Sequence, residues 1–169
     1  MQRQLSVITA LKGKNVYMVP KDTTVLEAAS QMSEKKIGAI LVGEGDDIQG
    51  IFSERDAVRR VIDQGLDAGK TAVSEAMTPN PFTIPSTTTI EEALQMVSER
   101  HIRHLPLVDD GKLVGMISNT DLTTWVVNAQ VSEISDLKSS VDSVSARNNG
   151  LIALMVGLVV LIAISMAIN

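Results

Sequence analysis

The chain has 169 residues, with 15 Lys and Arg against 20 Asp and Glu and a net charge of −5. That length gives room for one ordinary domain or two small ones sharing a core, and the acidic balance argues against a nucleic-acid binder, which carries a basic face. There is no cysteine, which excludes disulfides and thiolate metal sites, and aromatics at 2% leave the core to Val, Ile, Leu, Met and Ala.

Residues 1–14 read as an N-terminal helical segment. Leu5, Ile8 and Leu11 fall on one helical face, Gly13 is the stop, and Met1 to Ser6 hold no apolar run long enough for a signal peptide. Residues 16–19 make a short strand ended by Pro20. Thr24-Val25-Leu26-Glu27 has the capping-box pattern, Glu27 reaching back to the Thr24 amide, and opens a helix to Glu34 with Val25 or Leu26, Ala29 and Met32 inward. The apolar run 37–42 reads as a strand buried on both faces. A polar turn over 43–47, with Glu44, Asp46 and Asp47 solvated, leads to a strand at 48–52. From Ser53 a helix puts Ala57, Val58, Val61 and Ile62 on its buried side and stops at Gly65. Residues 15–65 form a first unit, and 65–73 a joint.

The pattern then repeats without a gap, 65 residues later, as a second unit over 74–129. Asn80 matches Asn15, Pro85 matches Pro20, Glu92-Ala93 match Glu27-Ala28 and Ile102 matches Ile37. Thr89-Ile90-Glu91-Glu92 is a second capping box, and strands at 105–108 and 113–117 flank the turn Asp109-Asp110-Gly111. The clearest copy is Gly50-Ile51-Phe52-Ser53-Glu54-Arg55-Asp56 against Gly115-Met116-Ile117-Ser118-Asn119-Thr120-Asp121. In each, a strand ends, Ser caps a helix, and Asp lies in its first turn, where a carboxylate suits the helix dipole. Two β-α-β-β-α copies predict an α/β (α+β) fold, two units related by a pseudo-two-fold axis.

Residues 130–149 turn Ser-rich and read as a helical linker or stalk. Val127, Ile134 and Val141 are spaced by seven, with Leu137 and Val144 three after the last two, a heptad seam interrupted by Gln130 and Asn148. Two readings stand: a short parallel coiled coil joining two chains, or an amphipathic helix lying on the module. Residues 151–168 carry no charge, and eighteen residues span about 27 Å. They predict a transmembrane helix over 150–168 and a tail-anchored, single-pass membrane protein. Lys138 and Arg147 place the rest of the chain on the cytoplasmic side.

Three features together resemble a tandem pair of cystathionine-β-synthase (CBS) domains, the Bateman module, over residues 5–129. They are the helix starts at Thr24 and Thr89, the segments 36–42 and 103–108, and the two Gly-hydrophobic-hydrophobic-Ser-x-x-Asp closings. No one element is specific; their order, spacing and duplication are. The resemblance implies a regulatory, non-catalytic module that binds AMP, ADP, ATP, S-adenosylmethionine or NAD(H) in clefts between the units and couples occupancy to a partner protein. Two departures are visible. Leu41 stands where the second copy has Pro106, and Arg103-His104 stand where the first has Gly38-Ala39, so the two sites are expected to be unequal.

A ribose is held by a carboxylate that accepts from both hydroxyls, and Asp56 and Asp121 are the candidates. Phosphates want the N–H groups of a helix start and a cation. Ser53 and Ser118 supply the starts. Arg55 is the nearest cation, with Thr120 at its matching position, and Arg59, Arg60, Lys36, Arg100 and Arg103 lie further off. Ile37, Gly38 and Ala39, with Ile102, Arg103 and His104, are the backbone expected beside adenine. A Ser followed three residues later by an acid is also an ordinary helix cap that needs no ligand, and the two roles are compatible. His101 and His104, three apart without a third ligand, read as polar cleft residues rather than a metal pair. No Ser/His/Asp constellation or glycine-rich phosphate loop is present, so no catalytic residue is assigned and no cofactor or metal is required.

The reading is a membrane-anchored, homodimeric sensor of an adenosine-containing ligand that signals to an unidentified regulated protein. The alternative is a ligand-free structural adaptor or dimerisation module of a membrane complex, for which Asp56→Ala and Asp121→Ala change stability alone. A nucleotide hydrolase would need a base and a metal cluster that the sequence does not offer.

Overall fold

The computed structural model describes residues 3–12 and 16–168, with side chains at 3–11, 16–150, 154–159 and 161. The Gly13 stop and the Asn15 match lie outside those residues. The chain divides into two compact units, Met1–Thr123 and Thr124–Asn169.

The first unit holds both sequence repeats. After α1 (Ser6–Lys12), the first repeat runs β1 (Met18–Val19), α2 (Val25–Lys35), β2 (Ala39–Glu44), β3 (Asp47–Ser53) and the short α3 (Glu54–Asp56), which widens into a π-helical turn at Ala57–Ile62. Next come α4 (Val73–Ala76) and β4 (Thr78–Pro79). The sheet order is β1-β2-β3-β4, with β1 parallel to β2 and the other neighbours antiparallel. The second repeat supplies α5 (Ile90–Arg100), β5 (His104–Asp109), β6 (Lys112–Ser118) and the start of α6 (Asn119–Ile168). Its β5 and β6 pair antiparallel, and a single parallel bridge from Ile84 to Leu107 takes the place of the Val19–Val42 pairing. The expected β-α-β-β-α order is thus present in the first repeat and reduced at its leading strand in the second.

Local chemistry explains the copied helices. The Thr24 hydroxyl accepts from Glu27 N at 3.2 Å, and Thr24 N donates to the Glu27 carboxylate at 3.0 Å. Thr89 and Glu92 repeat this at 3.3 and 3.0 Å. Both helices end at the same repeat position, on Lys36 and His101, in the left-handed conformation that usually closes a helix on glycine. The inward face of α2 is Val25, Ala28 and Met32, matched by Ile90, Ala93 and Val97 in α5. Ala28, not Ala29, carries the middle of that face, and Leu26 points out. Phe52, Ile40 and Val42 pack with Val25 and Val61 in the first core, while Leu105, Leu107, Ile117 and Leu122 are fully buried in the second repeat.

Two stretches sit where sequence periodicity did not put them. Val61 is buried as expected, but Val58 and Ile62 are exposed, Ile62 by 72%. The turn closes from Asp63 N to Val58 O at 2.9 Å, five residues back, so a face counted at 3.6 residues per turn slips out of phase. In α1, Leu5 and Ile8 are buried while Leu11 is 79% exposed.

The N-terminal segment lies on the second repeat. Leu5 N donates to Thr88 O (2.9 Å), Ser6 N to Ser86 O (3.0 Å) and Ile90 N to Arg3 O (3.0 Å). The joint lies on the first repeat in the same manner: Val25 N to Thr71 O and Leu26 N to Ala68 O, both 2.9 Å, and Val73 N to Thr23 O at 2.7 Å. Gly115 serves this packing, since a Cβ there would stand 2.9 Å from Thr9 Cγ2; its counterpart Gly50 lies against Met77 in the same way.

In the second unit, α6 is one continuous helix. Its seam residues Val127, Ile134, Leu137, Val141 and Val144 are exposed. The transmembrane helix expected over 150–168, and the cytoplasmic-side single-pass anchoring built on it, are corrected here: among the described residues, no helix is long and apolar enough to cross a membrane. The apolar stretch is the end of a helix whose preceding turns are polar and Ser-rich. The side chains described within 151–168 are Leu154 to Val159 and Leu161. The remaining side chains of 151–168 lie outside the described residues.

Candidate functional site

Two clefts in the first unit bring together the residues singled out from the sequence, and they are built reciprocally. In the first cleft, the Ser53–Asp56 helix start faces 101–104 of the other repeat. In the second, the Ser118–Asp121 helix start faces 36–39. Within each repeat the two segments are tied together: Glu54 N donates to Gly38 O at 3.1 Å, and Asn119 N donates to Arg103 O at 2.9 Å.

The caps are near-identical. Ser53 donates to Asp56 Oδ2 from N (3.0 Å) and Oγ (2.5 Å), and Ser118 donates to Asp121 Oδ2 from N (2.8 Å) and Oγ (2.7 Å). Return bonds run from Asp56 N to Ser53 Oγ at 3.4 Å and from Asp121 N to Ser118 Oγ at 3.2 Å. The capping role is therefore real at both positions.

What surrounds the caps differs. The first cleft holds about 140 Å³. The second oxygen of Asp56 accepts from Thr78 Oγ1 at 3.3 Å and pairs with Arg60 Nε at 3.5 Å, leaving the Asp56 side chain 13% exposed. Arg60 also donates to the carbonyls of Ala76 and Met77 and to Thr78 Oγ1, so it fastens the end of α4 and the start of β4 to this helix. Arg55 donates to His101 O at 3.1 Å and holds the opposite wall. Ile102, Arg103 and His104 fill the rest. The cations next to Asp56 are thus spent on protein carbonyls.

The second cleft holds about 770 Å³. Gly38 and Ala39, the small counterparts of Arg103 and His104, open it; Ile37 and Met116 add apolar wall, and Ser118, Asn119, Thr120 and Asp121 form its helix start. Lys35, Lys36 and Arg103 give it three cations, against Glu54 and Asp121. The hydrogen bond and charge of Glu34, 3.0 Å from Lys35 Nζ, hold the Lys35 ammonium above its ordinary pKa, so it stays charged. Lys35 also lies over the Tyr17 ring, 6.0 Å from its centroid, and its repeat counterpart Arg100 lies 4.1 Å over Phe82, the counterpart of Tyr17.

The predicted base, ribose and helix-start residues line one cleft or the other, whereas the further cations Arg59, Arg60 and Arg100 line neither. Ser53, Arg55, Asp56 and Ile102 line the first; Ile37, Ala39, Ser118, Thr120 and Asp121 the second; Gly38, Arg103 and His104 line both. His101 lines the first cleft as the left-handed cap of α5. Leu41 and Pro106 are buried mid-strand and line neither cleft, so that departure shapes no site. Sequence reasoning missed Tyr17, Lys35, Glu54, Asn119, Met116 and Thr78. The repeat itself carried a signal for one pair, since aromatic Tyr17 and Phe82 precede cationic Lys35 and Arg100 by the same spacing.

The model of the CBS domain family matches residues 8–63 and 73–128. Among curated proteins, the chain is 37% identical over 107 residues to the CBS domain-containing protein YhcV of Bacillus subtilis, covering 63% of this chain and 76% of that one. It is 32% identical over 123 residues to the mitochondrial CBS domain-containing protein CBSX3 of Arabidopsis thaliana, covering 70% and 60%. Among solved structures, the CBS-domain containing protein ATU1752 from Agrobacterium tumefaciens superimposes with a TM-score of 0.68 at 32% identity, covering 72% of this chain and 98% of that one. The chain spans only 20% to 60% of the length of the first curated relatives it matches.

Proposed function

The chain belongs to the CBS-domain family, and from that premise we propose that it is a regulatory module that senses an adenosine-containing ligand in the cleft beside Asp121. Proteins of this family are regulatory or signal-transduction modules that commonly bind adenine nucleotides and form oligomers. One observation carries the choice of cleft. Small-molecule sites run to about 300–1,000 Å³; the Asp121 cleft, at about 770 Å³, falls within that range and the Asp56 cleft, at about 140 Å³, falls below it.

The chemistry of the wide cleft suits such a ligand. Ile37 and Met116 offer apolar wall to a base, Asp121 offers a carboxylate to ribose hydroxyls, and the α6 start with Lys35, Lys36 and Arg103 offers N–H groups and positive charge to phosphates. AMP, ADP, ATP, S-adenosylmethionine and NAD(H) all carry that adenosine. The reading is regulatory rather than catalytic, because both aspartates accept from Ser N–H and O–H groups within caps, and a carboxylate so engaged is poorly placed to take a proton from substrate. Occupancy is read out by a regulated partner protein.

The test is calorimetric titration of the full chain with AMP, ADP, ATP, S-adenosylmethionine and NADH, alongside Asp121→Ala and Asp56→Ala, with circular dichroism to establish folding. Saturable binding by at least one ligand is expected, weakened by about tenfold or more in Asp121→Ala and retained in Asp56→Ala. Binding lost in folded Asp56→Ala but kept in Asp121→Ala moves the site to the narrow cleft. No binding by any ligand to the folded chain leaves the ligand-free adaptor as the better account.

A further inference from the structure

We infer that α6 is built to pair with the same helix of a second copy, parallel and in register, over residues 127–148. This rests on the second unit alone and stands or falls apart from the ligand. Counting Val127 as the first position of a heptad, Ile134, Val141 and Asn148 follow at the same position, and Leu137 and Val144 fall at the fourth. Val and Ile at the first position with Leu137 at a fourth favour a two-stranded coiled coil, and the seven-residue spacing, interrupted at the fourth position by Gln130, sets a left-handed supercoil. The five apolar seam residues are 53% to 66% exposed. A stripe of that length is uncommon on a surface that meets only water.

The outer positions offer little to any other surface. They carry Ser, Asp, Asn and Ala, and the Ser139 and Ser143 hydroxyls turn back onto their own helix, bonding Asp136 O at 2.8 Å and Ser140 O at 2.7 Å.

Direction and register come from the polar residues beside and within the seam. In a parallel pair, the seventh heptad position of one helix faces the fifth position of the next heptad on its partner. Those positions are Glu133 and Lys138, five apart, so the two helices exchange a Glu–Lys pair twice. In an antiparallel pair, seventh positions face each other and Glu133 meets Ser140 or Arg147, also seventh positions, so the direction rests on Asn148. Asn148 at a first position has its own counterpart opposite it only in register. There the two amides satisfy each other, and a slipped pairing buries an amide against an apolar residue.

The chain has no cysteine, so introduced ones report without background. Full-length chains carrying Leu137→Cys and, separately, Asp136→Cys are oxidised mildly and resolved without reductant. Disulfide dimer is expected to form about tenfold faster at 137 than at 136, because only the seam position meets its copy. In an equimolar mixture of Val127→Cys and Val144→Cys chains, peptide mass should find 127–127 and 144–144 disulfides and no 127–144 species. Glu133→Lys should slow the crosslink at 137, and Glu133→Lys with Lys138→Glu should restore it. A 127–144 disulfide, equal rates at 136 and 137, or no dimer at 137 overturns the inference.

Discussion

The two clefts are made from one repeated sequence, yet one is about 140 Å³ and the other about 770 Å³. Their caps coincide to within a few tenths of an ångström, Ser to Asp in each case. The difference lies in a few paired positions. Gly38 and Ala39 oppose one helix start, Arg103 and His104 the other, and the position of Arg60, which ties down Asp56, is held by Trp125 in the second copy. Duplication has kept the elements that fold the backbone, while a handful of side chains decide whether space for a ligand remains. A motif shared by both halves therefore reports on folding, and its unshared neighbours report on binding.

The sharpest break between the repeats is expected at the hairpin bulges. Both hairpins shift register at the same place, at Gly43 in one and Val108 in the other. Gly43 has φ +156°, and a Cβ there would run into the Asp47 carbonyl, whereas Val108 already carries a branched side chain. Gly43→Val should cost about 3 kcal/mol in urea denaturation and Val108→Ala about 1 kcal/mol or less. Equal losses would mean that the two bulges are interchangeable.

Next comes the cleft itself. Gly38→Arg places in the wide cleft the residue that crowds the narrow one, and nucleotide affinity should fall by about tenfold in calorimetry while the melting temperature holds. A Cβ at Gly38 meets nothing nearer than 3.5 Å, so backbone strain does not confuse the result. A smaller effect is expected at Arg60, which is 42% exposed yet joins Asp56 to three groups at Ala76, Met77 and Thr78. Arg60→Met should cost about 1 kcal/mol of stability after discounting for that exposure, and leave ligand binding in the wide cleft unchanged.

The smallest effect concerns pH. Backbone and hydroxyl hydrogen bonds from Thr24 and Thr89 lower the pKa of Glu27 and Glu92, and the Ser86 hydroxyl and amide lower that of Asp109. A carboxyl whose pKa is lower folded than unfolded adds stability above its unfolded pKa and loses it as pH falls through the folded value. Thermal stability should therefore decline below about pH 4, the ordinary carboxylate range. Glu92→Gln should flatten that acid limb slightly, as should its twin Glu27→Gln, because this feature is the same in both repeats.

Much of this was legible beforehand. The capping boxes at Thr24 and Thr89 and the Ser-x-x-Asp closings depend on contacts three residues apart, which spacing alone reveals. The inequality of the clefts followed from Arg103-His104 standing opposite Gly38-Ala39. The wide turn at Ala57–Ile62 was not legible, because a bond five residues back leaves no residue signature and moves Val58 and Ile62 outward. Nor was the role of Thr78, whose contact with Asp56 crosses 22 residues, nor were the bonds from Arg60 to Ala76, Met77 and Thr78, which exist only once α4 and β4 have docked. The membrane anchor rested on the length and lack of charge of residues 151–168. An apolar run does not say which turns it continues, and the helix that carries it begins at Asn119.

The crossed seating of the N-terminal segment and the joint has a consequence for synthesis. Residues 3–6 leave the ribosome well before residues 86–90, to which they bond, whereas residues 68–73 follow closely on residues 23–26. The first repeat can close on its own joint while the chain is still being extended. The second must retrieve a strand of chain some eighty residues upstream, a long-range closure of the kind that slows folding. A deletion at the N-terminus should accordingly unravel the half of the domain encoded furthest from the cut, and the first half should be the one that survives proteolysis.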